Sequence, residues 1–481
     1  MSTITAPTYD PTSTATALAQ KATAIRQQQI TDQTNAANAD TKALASLKSA
    51  ISAFQASLGS LTGIGKSMLA QSATLSNTNV GSATAQPSAP GGSYSLFVKQ
   101  VASASQVSYN IGANAPVGGT LTVNLAPPAA TTPPSPPSPV SPAPASFTVK
   151  LNAAADTDGD GKLSAREIAT AINSEPTNAG KVSAGVVTVA GVAQLVLTSK
   201  NTGVANTVWL DPTAVGDSTL AGSLALDKRK VTTQAQDAII LFGGTSSTTG
   251  TEITQASNTF TNIDGVSLSV TRAQAADESP FTLSVGSNSS GTQANVQAFV
   301  DAYNKLKSAI DGLVDSGNPS SGAKPGAFAH DAGVRALQSR LLSMVRSNGT
   351  PSLASYGITG TRDGTLALDT TKLTKQLTTD PTGLDRLIGS TAVSKPGGIA
   401  GALNTYLNQW GDDNAGQIKQ RTDATTKLQT SLTKRQSDLD AQYDAAYQRY
   451  LKQFTQLQTL QSTMNSNVSM FDALFSSDKS N

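Results

Sequence analysis

The chain has 481 residues and carries 34 Lys and Arg against 32 Asp and Glu, a formal net charge of +2. That balance argues against a nucleic-acid or anionic-membrane partner, because both need clustered cations, and the length implies several structural units of roughly 100–200 residues each. There is no cysteine and a single histidine, His330, which excludes disulfides, thiolate nucleophiles, iron–sulfur clusters and every site needing two imidazoles.

No nucleophile-elbow motif accompanies His330, so the composition points away from an enzyme. The chain opens MSTITAPTYD, without the basic start and apolar run of a secretory leader, and no stretch reaches the ~20 apolar residues of a membrane helix. No membrane insertion is expected. Residues 1–40 are polar, with only Leu18, Ile25 and Ile30 as large apolar groups. Such a segment can be helical but cannot bury enough surface to order itself alone. From Leu44 the pattern sharpens, since Leu44, Leu47, Ile51, Phe54, Leu58 and Leu61 form one apolar helix face that Gly63 and Gly65 end.

The texture then turns to β. Tyr94, Leu96 and Val98 alternate after the turn signal at 90–92. Residues 127–144 hold nine prolines in eighteen positions, which predicts an extended polyproline arm serving as a surface insertion or stiff spacer. Residues 147–151 read as a strand, and 182–198 (VSAGVVTVAGVAQLVLT) as a hairpin broken by Gly185 and Gly191. Further strand signals stand at 260–270 and at Phe281, Leu283 and Val285.

Helix returns at Val296, with Phe299, Val300, Tyr303, Leu306, Ile310 and Leu313 on one face, and again over 334–345. A hairpin is predicted over 357–369, then short helices near 373–377 and 384–387. Towards the C-terminus Tyr443, Tyr447, Tyr450, Phe454, Leu457, Gln461, Met464, Val468, Phe471 and Phe475 alternate by four and three. Leu428, Leu432, Arg435 and Leu439 lead into that register through consecutive steps of four, a stutter that locally unwinds a heptad coil. A coiled coil between chains and one helix packed within a monomer both satisfy this seam. Its candidate contacts are Leu439, Tyr443, Tyr450, Phe454, Leu457, Met464, Val468 and Phe471.

The sharpest local motif lies between the strands. Asp156, Asp158 and Asp160 occupy positions 1, 3 and 5 of a calcium-loop pattern, Gly161 the turn position, Lys162 a carbonyl-donating position, Ser164 position 9 and Glu167 position 12. Oxygens at those offsets suit a hard cation, so a structural calcium ion is one expectation. The other is a solvated turn in which Ser164 and Glu167 form a capping box opening a helix over 165–172. No cofactor is required by either.

The order of these segments resembles the bacterial flagellar hook-associated protein 2 family, the filament-cap proteins. The resemblance rests on 92–102 (GSYSLFVKQVA), on 163–173 (LSAREIATAIN) with 182–187 and 194–203, which are similar to the Ile-Asn module shared with flagellins, and on 235–238, 257–260 and 263–268. Residues 299–306 (FVDAYNKL), 356–359 with 363–366, and 453–455 with 464–466 complete it. The N-terminus departs from the family in lacking an apolar Gly-Leu-Asp segment, and the proline-rich arm and Asp-rich loop resemble insertions.

The resemblance implies a multidomain α+β fold: a discontinuous terminal coiled-coil leg (1–43 with 440–481), a helical domain (44–76 with 291–439), and two inserted antiparallel β-rich head domains (77–112 with 232–290, and 113–231). It further implies a structural role at the distal tip of the flagellar filament. There a homo-oligomeric cap ring, often pentameric in that family, promotes folding and insertion of exported flagellin. Flagellin, hook–filament junction proteins and a flagellar export chaperone are the implied partners. The implied location is extracellular, reached through the flagellar type III system without a cleavable signal. A filament or junction subunit, and a secreted adhesin presenting the β-rich head, are the alternative readings.

Overall fold

The computed structural model describes residues 10–111, 114–128, 145–346 and 352–476. The expected ends of the leg at 1–9 and 477–481, and all but the first two residues of the proline-rich arm, lie outside them. The chain divides into two compact units, Met1–Met68 with Thr292–Asn481, and Leu69–Gly291.

The first unit begins with helix α1 (Pro11–Thr62). The Asp10 carboxylate accepts hydrogen bonds from the Thr12 and Ser13 N–H groups, and Pro11 takes a first-turn position where a missing N–H costs nothing. The helix runs unbroken through the polar stretch, whose buried positions are mostly Ala15, Ala19 and Ala37 rather than large apolar groups.

The second unit holds strands β1 (Gln71–Leu75), β2 (Gly81–Ala85), β3 (Gly92–Gln100), β4 (Ala104–Asn110), β5 (Ala115–Pro116), β6 (Thr120–Leu125), β7 (Ala145–Lys150) and β8 (Lys162–Leu163), then helix α2 (Ala165–Ser174). Strands β9 (Val182–Val189), β10 (Val192–Thr202) and β11 (Val208–Asp211) follow, with helix α3 (Ser218–Ser223). It ends with β12 (Lys230–Thr233), β13 (Ala238–Phe242), β14 (Thr251–Gln255), β15 (Thr259–Phe260), β16 (Val266–Val270) and β17 (Phe281–Ser287).

These strands enclose two cores. Val80, Leu96, Val98, Ile240, Phe260, Leu268, Phe281 and Leu283 fill one, beneath the sheets β1-β17-β3-β13-β14 and β15-β16-β2. Tyr109, Leu121, Val123, Phe147, Leu163, Ile168, Ile172, Leu195 and Leu210 fill the other, beneath β12-β4-β10-β9 and β11-β6-β7. The chain passes from the first core to the second between Ala102 and Val107, ahead of the expected 112/113 boundary, because β4 pairs with β10 and β12.

The first unit resumes with α4 (Ser289–Val314), α5 (Ala332–Val345), a hairpin of β18 (Ile358–Gly360) and β19 (Leu366–Leu368), α6 (Thr370–Thr379), α7 (Gly383–Ile388), α8 (Gly398–Gly411) and α9 (Gln417–Ser476). Helix α8 is absent from the sequence reading, since its glycines masked a stripe of Ala400, Leu403, Leu407 and Trp410, all buried. The Arg421 guanidinium of α9 lies 5.5 Å over the Trp410 ring and grips Asp331 with both nitrogens at 2.5 and 3.1 Å. Asp331 also caps α5 by accepting the Val334 N–H. The Arg421 hydrogen bonds hold its carboxyl below the ordinary range.

The β9–β10 hairpin turns at Ala190 and Gly191, both at positive φ, as a two-residue loop joining Val189 to Val192 requires. Gly185 does not break the hairpin; it lies inside β9 opposite Val196. Strand β9 is a sheet edge, and two asparagines stand in for a neighbouring strand. The Asn173 amide accepts the Ala184 N–H and donates to the Ala184 carbonyl at 2.9 and 2.8 Å, and Asn178 does the same for Val182. Side-chain amides that occupy an edge ladder deny it to another chain. Replacing Asn173 by Ala strands both Ala184 groups, so unfolding of this unit in urea is expected to lose about 1–2 kcal/mol. An unchanged midpoint would show that water satisfies the edge equally well.

Candidate functional site

Helices α1 and α9 run antiparallel. Arg26 donates to the Gln442 amide oxygen at 2.6 Å, and Arg435 donates to Gln33 at 2.9 Å. Gln27 and Gln436 exchange two amide hydrogen bonds at 2.9 and 2.8 Å, and Gln429 donates to Asn38 at 2.9 Å. The Arg26 and Arg435 bonds share one register, and it places Pro11 opposite Leu457.

Within that register the seam differs from the sequence reading at two positions. Leu432 and Leu439 are buried, but Gln436, half-buried, fills the position between them, while Arg435 and Leu428 face solvent. Polar Gln436 belongs to the seam because Gln27 satisfies its amide. The consecutive steps of four therefore fall at Leu439, Tyr443 and Tyr447. Beyond them the packing is aromatic against small: Tyr443, Tyr447, Tyr450 and Phe454 are half-buried, and Ala15 and Ala19 on α1 are fully buried. The Tyr443 and Tyr447 rings stack with centroids 6.5 Å apart, and Arg449 covers Tyr450 at 4.9 Å.

Of the candidate contacts, Leu439, Tyr443, Tyr450 and Phe454 thus lie against α1. The other four do not share this cover. Leu457 is 44% exposed, Met464 58%, Val468 48% and Phe471 61%, and Leu460 and Met470 join them at 57% and 59%. All sit at or beyond the level of Pro11, where α1 begins. Leu460 and Met470 fall outside the strict four–three spacing, which is why periodicity alone passed over them. Among the described residues no helix is long and apolar enough to cross a membrane.

The Asp-rich loop lies in the second unit. Glu167 is buried and takes five donors: Thr157 N–H, Thr157 hydroxyl and Asp158 N–H on one oxygen, Ser164 N–H and hydroxyl on the other. The Ser164 hydroxyl accepts the Glu167 N–H in return, which completes the capping box. The Ser164 N–H leads the bonds that pull the Glu167 pKa down to about 2. Asp156 accepts the Gly159 and Gly161 N–H groups, Asp158 that of Asp160, and Asp160 that of Lys162. The Asp160 N–H lowers the Asp158 pKa, but desolvation and the surrounding Asp160, Glu167 and Asp156 carboxyls outweigh it and leave the group above its ordinary value. Carboxylate oxygens of Asp156, Asp158 and Glu167 lie within 4.8 Å of one another; Asp160 is not in that group.

Two sequence models match this chain, that of the flagellar hook-associated protein 2 N-terminus over residues 8–105 and that of its C-terminus over 235–466. The Asp-rich loop falls between them. The chain is similar to the lateral flagellar hook-associated protein 2 of Vibrio parahaemolyticus, 32% identical over 402 residues that cover 83% of this chain and 85% of that protein. It is also similar to the flagellar hook-associated protein 2 of Escherichia coli K12, 27% identical over 469 residues, covering 95% and 93%. A crystal structure of the flagellar cap protein FliD D1-D2-D3 domains from Escherichia coli aligns with a TM-score of 0.57 at 26% identity, covering 80% of this chain and 99% of that one.

Because Glu167 ties the loop to the α2 N-terminus through both oxygens, its loss acts even without metal. In calcium-free buffer, Glu167→Ala is expected to lower the thermal midpoint of this unit by about 2–6 °C. A midpoint equal to that of the parent chain would show the capping box to be dispensable.

Proposed function

The chain belongs to the flagellar hook-associated protein 2 family, and from that membership we propose its role. It is a structural protein of the flagellum that caps the distal tip of the filament as an oligomer, where it promotes folding and insertion of arriving flagellin. The observation that supports the mechanism is the apolar face of α9 past Leu457, which α1 is too short to cover. Full burial of side chains such as Leu460, Met464 and Val468 is worth about 1.5–3 kcal/mol each, and the costs of association take back much of it. A single contact of this kind is weak and exchangeable, while several around a ring hold together. That suits a cap that must yield to every added subunit.

The finer points belong to the same proposal. Residues 1–43 with 440–481 form the leg, 44–76 with 291–439 the helical domain, and the two β-rich parts the head. The ring is built from copies of this chain, pentameric as the resemblance implies. Flagellin, the hook–filament junction proteins and an export chaperone are its partners, the type III apparatus is its route out, and no catalysis is involved.

Met464 and Val468 are exposed in the single chain, so Met464→Asp with Val468→Asp should leave unfolding within about 0.5 kcal/mol of the parent. The same pair should abolish rescue of a cap-deletion strain that sheds unpolymerised flagellin. Rescue by the double variant would remove α9 from the mechanism. Growth of the purified parent into long fibres would favour a filament or junction subunit instead.

For the Asp-rich loop we propose a structural calcium ion held by Asp156, Asp158, Asp160, the Lys162 carbonyl, Ser164 and Glu167. The convergence of three of these carboxylates supports it, as does Gly161 at φ 77 in the turn position. Calcium at several times a dissociation constant of about 0.1–1 mM should raise the thermal midpoint by about 2–5 °C over chelator. The shift should vanish in Asp156→Asn; equal midpoints with and without calcium in the parent chain rule the ion out.

A further inference from the structure

The two β cores of the second unit have no residue in common, so each lobe closes on itself. The first lobe holds Leu96, Ile240 and Phe281, the second Tyr109, Leu195 and Leu210. The chain crosses between them twice, outward between Ala102 and Val107 and back between Thr233 and Ala238. At the crossing Ser103 and Gln236 exchange both backbone hydrogen bonds, at 3.1 and 3.2 Å, and the Ser103 hydroxyl donates to the Gln234 carbonyl. The Asn258 amide fixes the near end of this ribbon by exchanging two bonds with Ala102 at 2.6 and 2.9 Å. A ribbon of two strands is the most twisted and least braced form of sheet. Alone, it would leave the second lobe free to pivot.

A third contact stops that pivot. The register of β10 against β4 shifts between Thr198 and Thr202, and inside the bulge the Ser199 hydroxyl takes the Ser105 N–H. A bulge bends its strand, and this one carries the end of β10 onto the first lobe. There the Thr202 hydroxyl donates to the Ala256 carbonyl at 2.5 Å, and the Val204 N–H donates to the Asp237 carboxylate at 2.8 Å. The Gly203 N–H between them reaches the Ser103 carbonyl at 3.1 Å.

Gly203 is buried in this seat at φ +101. A Cβ there would stand 2.4 Å from the Ala256 Cβ and 2.9 Å from Asp237 Oδ1. Only glycine satisfies both the dihedral and the close approach. The seat is nevertheless shallow in energy, because it consists of three hydrogen bonds with no shared apolar core, and each such bond contributes little net.

We propose that the Thr202–Val204 turn is a latch. Seated on Asp237 and Ala256, it holds the two β lobes as one rigid body; unseated, it lets the second lobe swing about the 103–236 ribbon with both cores intact. This is hinge motion with a built-in stop. The latch acts within a single chain, so it stands independently of the capping role.

The absence of native cysteine allows one spin label on each lobe of the full chain, at Val187→Cys on β9 and Thr251→Cys on β14, both exposed. Pulsed electron resonance should give one narrow label-to-label distance in the otherwise unaltered chain. Asp237→Ala removes the acceptor of the Val204 N–H, and Gly203→Val blocks the seat. Each should add a second distance, with the open population raised about tenfold. Asp237→Asn keeps an acceptor oxygen and should restore the single narrow distance, which a general loss of stability would not do. Asp237→Ala leaves the backbone unstrained and keeps the test decisive if Gly203→Val does not fold. Unchanged distances in Asp237→Ala overturn the latch, as does a parent distribution already as broad as that of the variants. An Asp237→Asn distribution as broad as that of Asp237→Ala overturns it too. None of these results bears on the capping role.

Discussion

Helix α9, at 60 residues, is longer than the 52-residue α1 it pairs with, and the proposed assembly depends on that mismatch. Where α1 lies alongside, Leu432, Leu439 and the aromatic run from Tyr443 to Phe454 find cover. Helix α1 begins at Pro11, and Leu457, Leu460, Met464 and Val468 on α9, at or beyond that level, are exposed. In the proposed cap this is the surface offered to another chain.

The paired stretch is itself built for moderate affinity. Its cross-helix bonds are exposed amide and guanidinium contacts, Arg26–Gln442, Gln27–Gln436 and Arg435–Gln33, and each contributes on the order of 1 kcal/mol or less. Its apolar contacts set alanines against aromatic rings. Leucine at every seam position would hold harder and tolerate less rearrangement. The hydrogen bonds define register, and the alanines keep the helices close at small energetic depth.

Much of this was legible in the sequence, and the failures have particular causes. The stripe from Leu44 to Leu61, the C-terminal four–three alternation, the hairpins and the capping box at Ser164 and Glu167 all announce themselves through period or spacing. Residues 11–43 do not, because alanine packs without registering as apolar bulk. Spacing alone favours Arg435 over Gln436, whose place in the seam depends on Gln27, a residue distant in the chain. Helix α8 hid behind its glycines, and Gly185 looked like a break because a strand edge tolerates glycine where a partner side chain supplies the ladder. In the loop, the calcium-type spacing was readable, yet only coordinates reveal that Glu167 already holds five donors.

The two asparagines on β9 and the bare end of α9 express opposite treatments of the same hazard. An edge strand with Val187 and Val189 exposed invites pairing with any passing chain. Asn173 and Asn178 close its first half by satisfying Ala184 and Val182 from within. Backbone ladders accept almost any sequence, so leaving one open sacrifices selectivity. A helix face reads its partner through side-chain shape, so Leu460, Met464 and Val468 can stay exposed and still discriminate. The chain thus closes the first half of the unselective edge and leaves the selective face exposed, as suits a subunit of the oligomeric cap proposed for it.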